Sequence, residues 1–509
     1  MIQGVLAQIS MQKEVDQFGG LPENKFASVS ICIIDLDKDS ILADFNGEKT
    51  LMCASTAKLF STYTALDLLG PKYRPQTRIY KNGTVDSLGV LHGDLYLQGW
   101  GDISLGSKYF CEEGAELEFM SIWLKAVREK GIRAINGSVI SDGSSFGYSG
   151  VPDGWDWSDM GNYYGAGASG INFFDNTVKY YFDTYSAGKK AKFLKTFPSD
   201  SDLVFRHEIK AASIRNDQSY LFGAPYSTDR FGVGYLPSNR NGFVVKGSMP
   251  DPEYMLAKEF TRFLIEDSLF GFVTGEPKGV RLLLEKDIDY DILDLVCVHE
   301  GETILDIVRL TNMKSINLFA EGLLNLVGFN NSGNGSTKSG IEQVYNNLKG
   351  KVNVSGMKLK DGSGLSRKNA VSAMNFCNLL SYIDKSEIAD LFKSSLAVAG
   401  ESGALKNICK GQSASGLMKA KSGTLSNVKA YAGYVESKSG ANLAFALIVN
   451  NFEGPRYQLV KKMERIFILE DEIKFAQSCL KPSATGHIHT AISWMEMRKE
   501  ELTKEVENG

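Results

Sequence analysis

Two stretches of β-prone sequence near opposite ends of the chain restrict its fold more than any other feature. Val29 to Asp35 and Ser40 to Phe45 flank the turn Asp37-Lys38-Asp39, and Val428 to Glu436 and Leu443 to Asn450 flank Ser437 to Ala441. Each pair reads as a β-hairpin. Hairpins at both ends invite one shared antiparallel sheet, closed by a helix over Arg456 to Glu470, so the residues between them must fold as separate material. With 509 residues, 43% of them hydrophobic, the chain is large enough for more than one core, because single cores stop growing at roughly 250 to 300 residues.

Between the hairpins the pattern changes character three times. From Ser55 to Gly70 the sequence is apolar and helical, with a serine suited to a helix start and a glycine suited to its end. After Pro71, to about residue 295, short β-like segments such as Gly93 to Gln98 alternate with Gly/Ser/Asp turns, with one helix expected over Leu117 to Lys130. Helical patterning returns over Thr303 to Val327 and, after the loop Asn330 to Ser339, over Ile341 to Leu348. The expected organisation is a discontinuous domain from 1–70 and 295–475, an inserted accessory region from 71–294, and a tail, 476–509, with no assigned role.

Three short motifs occur in one order along this framework: Ser55-Thr-Ala-Lys58, Ser315-Ile-Asn317 and Lys421-Ser422-Gly423-Thr424. Residues three apart on a helix share a face, so Lys58 reaches the Ser55 hydroxyl from one turn away. A serine hydroxyl needs a neighbour to take its proton, and an amine does this only when neutral. Burial and a second cation both depress a lysine pKa, and Lys421 is the candidate second cation. Ser315 suits proton relay to a leaving amine, Asn317 suits holding both the lysine and a substrate amide, and Lys421 with Thr424 suits a terminal carboxylate. The backbone N–H groups of Ser55 and Thr424 are the candidate oxyanion donors.

The S-x-x-K spacing alone carries little, since Ser186/Lys189, Ser355/Lys358, Ser426/Lys429 and Ser478/Lys481 share it. Only the Ser55 copy opens an apolar helix and precedes, in order, an S-x-N in a helical region and a K-S-G-T before a hairpin. Such a set is shared by penicillin-binding proteins and class A β-lactamases. Lys360-Asp-Gly-Ser363-Gly-Leu-Ser-Arg367 further resembles the D-G-S-G-L-S-R signature of class C low-molecular-mass penicillin-binding proteins, the D-Ala-D-Ala carboxypeptidase/endopeptidases. Gly93 to Asp102, Ile135 to Asp142, Gly154 to Met160 and Tyr163 to Ala166 are similar too, and the resemblance runs from about Phe26 to Glu470. The interval of about 255 residues between the first two motifs, far beyond a loop of roughly 4 to 6 residues, matches that family's large insertion.

The resemblance implies an α+β fold: a serine β-lactamase/transpeptidase-like domain, with a five-stranded antiparallel sheet flanked by helices, and two inserted β-rich domains. It implies Ser55 as nucleophile, Lys58 as general base, Ser315 and Asn317 as the second catalytic element, and Lys421, Ser422, Gly423 and Thr424 at the carboxylate end of the substrate. It also implies a pocket for a diaminopimelate-like side chain at Asp159, Tyr164 and Arg367, with Trp157 less firmly aligned and Ser363 in the adjoining signature. Taken alone, Asp159 and Arg367 equally suit a surface charge and a loop-stabilising arginine. The implied substrate is a peptidoglycan stem peptide, with β-lactams as acylating partners and no cofactor or metal. The implied location is periplasmic or otherwise extracytoplasmic, with Ile2 to Gln8 expected as the stub of a removed leader.

Composition removes several other classes. Fifty-six Lys+Arg against 60 Asp+Glu leave no basic excess for nucleic acid, and no apolar run of about 18 residues exists to cross a bilayer. The seven cysteines are scattered, without a C-x-x-C pair. Gly143-Ser-Ser145-Phe-Gly147 matches G-x-S-x-G, but a loop composition follows where an α/β-hydrolase needs a helix. His487 and His489 offer a metal pair at most. A β-lactamase of the same fold, and a non-catalytic penicillin or peptidoglycan sensor, are the rival readings; the intact motifs disfavour the sensor.

Overall fold

The computed structural model describes residues 2–147, 149–280, 288–437 and 440–478; the side chains of 2–10 and 468–478 lie outside that description, as does nearly all of the expected 476–509 tail. By contacts the chain divides into two compact units, one of Met1–Leu51, Val371–Ala389 and Leu396–Gly509, the other of Met52–Ala370 and Asp390–Ser395.

The first unit is built on an antiparallel sheet ordered Ala397–Val398, Met418–Leu425, Val428–Glu436, Asn442–Asn450, Ser28–Asp35 and Ser40–Phe45. The two terminal hairpins meet edge to edge, from Ser28 opposite Asn450 to Asp35 opposite Leu443. The sheet has six strands where five were expected, because the two-residue strand Ala397–Val398 pairs with Lys419 and Ala420. Val428–Glu436 is buried at every position but the last, which requires cover on both faces. On one face Ile31, Ile33, Tyr431 and Phe445 cluster with Met11, Val15 and Phe18 of the helix Ile2–Gly19 and with Met463 and Phe467 of the helix Arg456–Ser478. Against the other packs the helix Ala373–Asp384, where the Cys377 thiol donates to the Cys32 carbonyl. The N-terminal helix was not anticipated, although Met11, Val15 and Phe18 follow a helical i, i+4, i+7 spacing; the expected leader stub lies within it.

The second unit carries its own sheet around the long hairpin Gln76–Val85 and Val90–Trp100. Asp294–Glu300 pairs antiparallel with Gln76–Val85, while Val139–Asp142 and Ala134–Asn136 run parallel to Val90–Trp100. Smaller sheets follow, one from Arg240–Ser248, Thr177–Thr184 and Lys192–Phe197, the other from Lys210–Ala212, Asp229–Pro237, Gln218–Phe222 and Val204–His207. One apolar cluster, with Trp123, Tyr180, Phe182 and Phe260 fully buried, runs through this β-rich part. Its two chain connections are joined where the Gly301 N–H donates to the Pro75 carbonyl and the Ile304 N–H to that of Tyr73.

The helix Lys58–Leu69 is buried from Lys58 to Leu66 and packs against Ile304–Lys314, Asn317–Ser332 and Thr337–Leu348. Thr303 to Val327, expected as one helical stretch, is two helices. Ser315 adopts the left-handed conformation, φ 61°, and ends the first; the second starts at Asn317. This break sets the second motif at a helix junction, where its side chains do not compete with the i to i+4 ladder.

Candidate active site

Ser55 lies in the 3-10 turn Ala54–Ala57, which runs directly into the helix Lys58–Leu69, and so is not the helix N-cap that its residue type suggested. The turn is tightened by the Thr56 hydroxyl, which donates to the Cys53 carbonyl at 2.6 Å. Ala54 sits at φ 48°, a left-handed conformation that costs a non-glycine residue of order 1 kcal/mol or more and collects at functional turns. Ser55 itself remains partly exposed while Lys58 is fully buried.

The Lys58 ammonium has three partners: Ser55 Oγ at 3.0 Å, Asn317 Oδ1 at 2.7 Å and the Ser363 carbonyl at 2.6 Å. An ammonium has three protons and an amine has two with a lone pair. On deprotonation the two shorter bonds retain donors, and the lone pair is left for the Ser55 hydroxyl. Burial, the leading cause, lowers the Lys58 pKa to about 8, against the opposing pull of Asp361, Glu321 and Cys53. About a tenth of the amine is therefore neutral at pH 7.

The loop that supplies the Ser363 carbonyl is fixed by two buried acids. Asp361 accepts from the Trp155 indole N–H at 2.8 Å, the Gly364 and Ser366 N–H groups at 2.8 and 2.6 Å, and the Asn369 amide at 2.7 Å. Glu321 accepts from the Gly362 and Ser363 N–H groups at 3.0 and 2.7 Å. Burial, then the charge of Asp361, pushes the Glu321 carboxyl up to about 8, against those two donors. The glycines are required by close approach: a Cβ on Gly364, which has φ 81°, would stand 1.9 Å from the Ala54 carbonyl, and one on Gly362 would stand 2.7 Å from that of Ala320. Ser363 is fully buried, its hydroxyl 3.4 Å from Asp361, so it serves Lys58 through its carbonyl.

No sequence motif includes Glu321, and its one signal is a lone acid inside the apolar run Leu318 to Leu324. Glu321→Ala is expected to strand two buried N–H groups at about 1–3 kcal/mol each. Chemical denaturation should show a loss of roughly 2–6 kcal/mol; a change within about 0.5 kcal/mol would mean that the loop is held by other bonds.

Asn317 opens its helix and bridges two regions. Its Oδ1 accepts from Lys58, and its Nδ2 donates to the Tyr164 carbonyl at 2.7 Å. The Tyr164 hydroxyl donates to Asp159 at 3.3 Å. Burial is the first cause raising the pKa of both, with Tyr164 opposing the shift of Asp159 and Asp159 adding to that of Tyr164. Arg367 pairs with Asp156, a residue that no motif singled out, and also acts on Asp159 through its charge. Trp157 is 56% exposed, its ring 6.1 Å from that of Phe222. Asp156, Asp159, Tyr164 and Arg367 thus form one polar group, connected through Tyr164 to Asn317. Ser145 stands elsewhere: its hydroxyl donates to the Gly99 carbonyl at 2.8 Å, and no helix follows its 3-10 turn Ser144–Phe146.

The third motif lies in the other unit, on the strand Met418–Leu425. Lys421 is fully buried and donates to the Ser422 carbonyl at 2.8 Å. Ser422 stands opposite Tyr431, Gly423 opposite Ala430, and Thr424 opposite Lys429. Thr424 Oγ1 accepts from Lys429 Nζ at 3.0 Å.

Residues 11–467 match the family model described as the D-Ala-D-Ala carboxypeptidase 3 (S13) family. A D-alanyl-D-alanine carboxypeptidase from Actinomadura sp. (strain R39) is 28% identical over 459 residues, covering 87% of this chain and 82% of the relative. The D-alanyl-D-alanine carboxypeptidase DacB of Haemophilus influenzae is 26% identical, covering 85% of this chain and 87% of that one. The crystal structure of penicillin binding protein 4 (dacB) from Haemophilus influenzae shares the fold, with a TM-score of 0.77 at 22% identity over 90% of this chain and 99% of that one. With almost its whole described length matched, the chain belongs to the D-Ala-D-Ala carboxypeptidase 3 (S13) family and is a serine-type D-Ala-D-Ala carboxypeptidase.

Proposed function

We propose that the chain trims peptidoglycan stem peptides through an acyl-enzyme at Ser55, with Lys58 as general base. The observation that carries this reading is the Lys58 amine, buried and held by Asn317 and the Ser363 carbonyl, 3.0 Å from the Ser55 hydroxyl. Ser55 Oγ attacks the carbonyl between the two terminal D-alanines, and its proton passes to Lys58. The oxyanion is met by the N–H groups of Ser55 and Thr424, and the C–N bond breaks as Ser315 and Lys58 return a proton to the leaving amine. Water then attacks the ester and restores the serine. The same serine opens a β-lactam ring, whose strained amide occupies the place of the peptide bond.

Lys421 with Ser422, Gly423 and Thr424 recognises the terminal carboxylate. Asp159 and Arg367, with Tyr164 and Trp157, receive the amine and carboxylate at the free end of the stem-peptide side chain. The region 71–294 supplies this pocket as two nested β-rich domains. If the leaving amine belongs to a D-amino acid of a neighbouring stem, the same steps cleave a cross-link, which gives the endopeptidase activity. The substrate places the working protein outside the cytoplasm, and no described helix is long and apolar enough to cross a membrane.

Labelling the chain with a fluorescent penicillin and then offering a D-Ala-D-Ala peptide tests the reading. A covalent label on Ser55 together with release of D-alanine is expected. Label without peptide turnover would make the chain a sensor, and rapid hydrolysis of the penicillin would make it a β-lactamase.

A further inference from the structure

Of the S-x-x-K matches outside the first motif, Ser426/Lys429 has no place in the chemistry above, yet its lysine occupies an unusual position. Lys429 lies on the strand Val428–Glu436, directly across from Thr424, and is only 7% exposed. Its Nζ donates to Thr424 Oγ1 at 3.0 Å and stands 4.3 Å from the centre of the Tyr431 ring. The ring face and the hydroxyl both favour the charged form. Among the described residues, the charge that acts on it is that of Arg456, another cation, at the start of the helix Arg456–Ser478. A buried ammonium without a counter-charge is costly, and an anion placed beside it would relieve that cost.

The bond also decides what Thr424 can do. A threonine hydroxyl has one proton and two lone pairs. With Lys429 donating to its oxygen, the Thr424 proton is free to be given to another acceptor, and the positive charge behind it strengthens it as a donor. We propose that Lys429 is a specificity-determining residue, which orients and polarises the Thr424 hydroxyl so that the third motif selects peptides ending in a free carboxylate. The inference rests on the reading that this motif meets the substrate's terminal carboxylate, and deepens it: Lys421 is the motif's own cation, and Lys429 is a second one, acting through Thr424.

The test compares a peptide ending in D-Ala-D-Ala with its C-terminal carboxamide, in the intact chain and in Lys429→Met and Lys429→Arg. Loss of one charge-assisted bond should raise KM for the acid about 10- to 100-fold and leave the carboxamide within about 2-fold. The acid-over-amide preference then collapses, and Lys429→Arg restores part of it. Equal losses on both substrates would reduce Lys429 to a structural support, and an unchanged preference would overturn the proposal outright.

The pH dependence of the unmodified chain gives a second measure, independent of whether the variants fold. Burial, then Arg456, lowers the Lys429 pKa to about 8. Among the described residues, the groups facing it are Thr424 from the neighbouring strand, Tyr431 from its own and Arg456 from the helix. Loss of the proton above that pH should erode the acid preference, whereas titration of Lys58 acts on both substrates and cancels in the ratio. A preference that stays flat through that range would refute the role. If the unmodified chain turns over neither peptide, the reading of the site fails and takes this inference with it; if it discriminates and the variants still do, only this inference fails.

Discussion

Ser55→Ala should lose covalent labelling by penicillin entirely and peptide turnover by on the order of 10³-fold or more, while keeping the fold. The serine lies in a short turn, partly exposed, and its Oγ contributes one of the three Lys58 bonds. Losing that bond costs about 1 kcal/mol, a small part of the stability of a chain this size. Intact-mass analysis after penicillin treatment reads the first expectation, and thermal unfolding reads the second. A variant that still gains the mass of the penicillin would move the nucleophile elsewhere and undo the assignment of all three motifs.

Lys58→Met should lower the acylation rate by about 10²- to 10⁴-fold, the range of a positioned general base. It should also change the shape of the pH profile. A base acts in its neutral form, and the folded pKa of about 8 means that the neutral fraction falls about tenfold for each pH unit below that value. The intact enzyme should therefore gain kcat/KM as pH rises, levelling near 8, and the variant should lose that limb. Stopped-flow acylation between about pH 6 and 9 separates the outcomes. A slowed variant that keeps the same rising limb would assign it to another group, with the Glu321 carboxyl, also pushed up to about 8, the first to examine.

The parts of this architecture that depend on local sequence were legible in advance. The terminal hairpins declare themselves because their buried strands are near-continuous apolar runs bounded by turn residues. Ser55 and Lys58 declare themselves because three residues of helix-like chain fix their separation. Other parts depend on contacts between distant residues. Glu321 meets Gly362 and Ser363 about 40 positions away, and Asp156 meets Arg367 more than 200 away, so neither pairing leaves a local pattern. The break at Ser315 was hidden for another reason: glycine is the usual signal for a left-handed residue, and here a serine adopts that conformation. The sixth strand is only two residues long, too short for any alternation to show.

Tyr164 faces two ways at once. Its ring end is bonded to Asp159, and its backbone oxygen anchors the very amide that steadies Lys58. A designer wishing to trim the proposed accessory region, or to swap it for one of different taste, would therefore be cutting into the bonds that hold Lys58. Any chimera that omits this tyrosine must furnish a substitute acceptor for Asn317 before the Lys58 amine can be expected to stay in register.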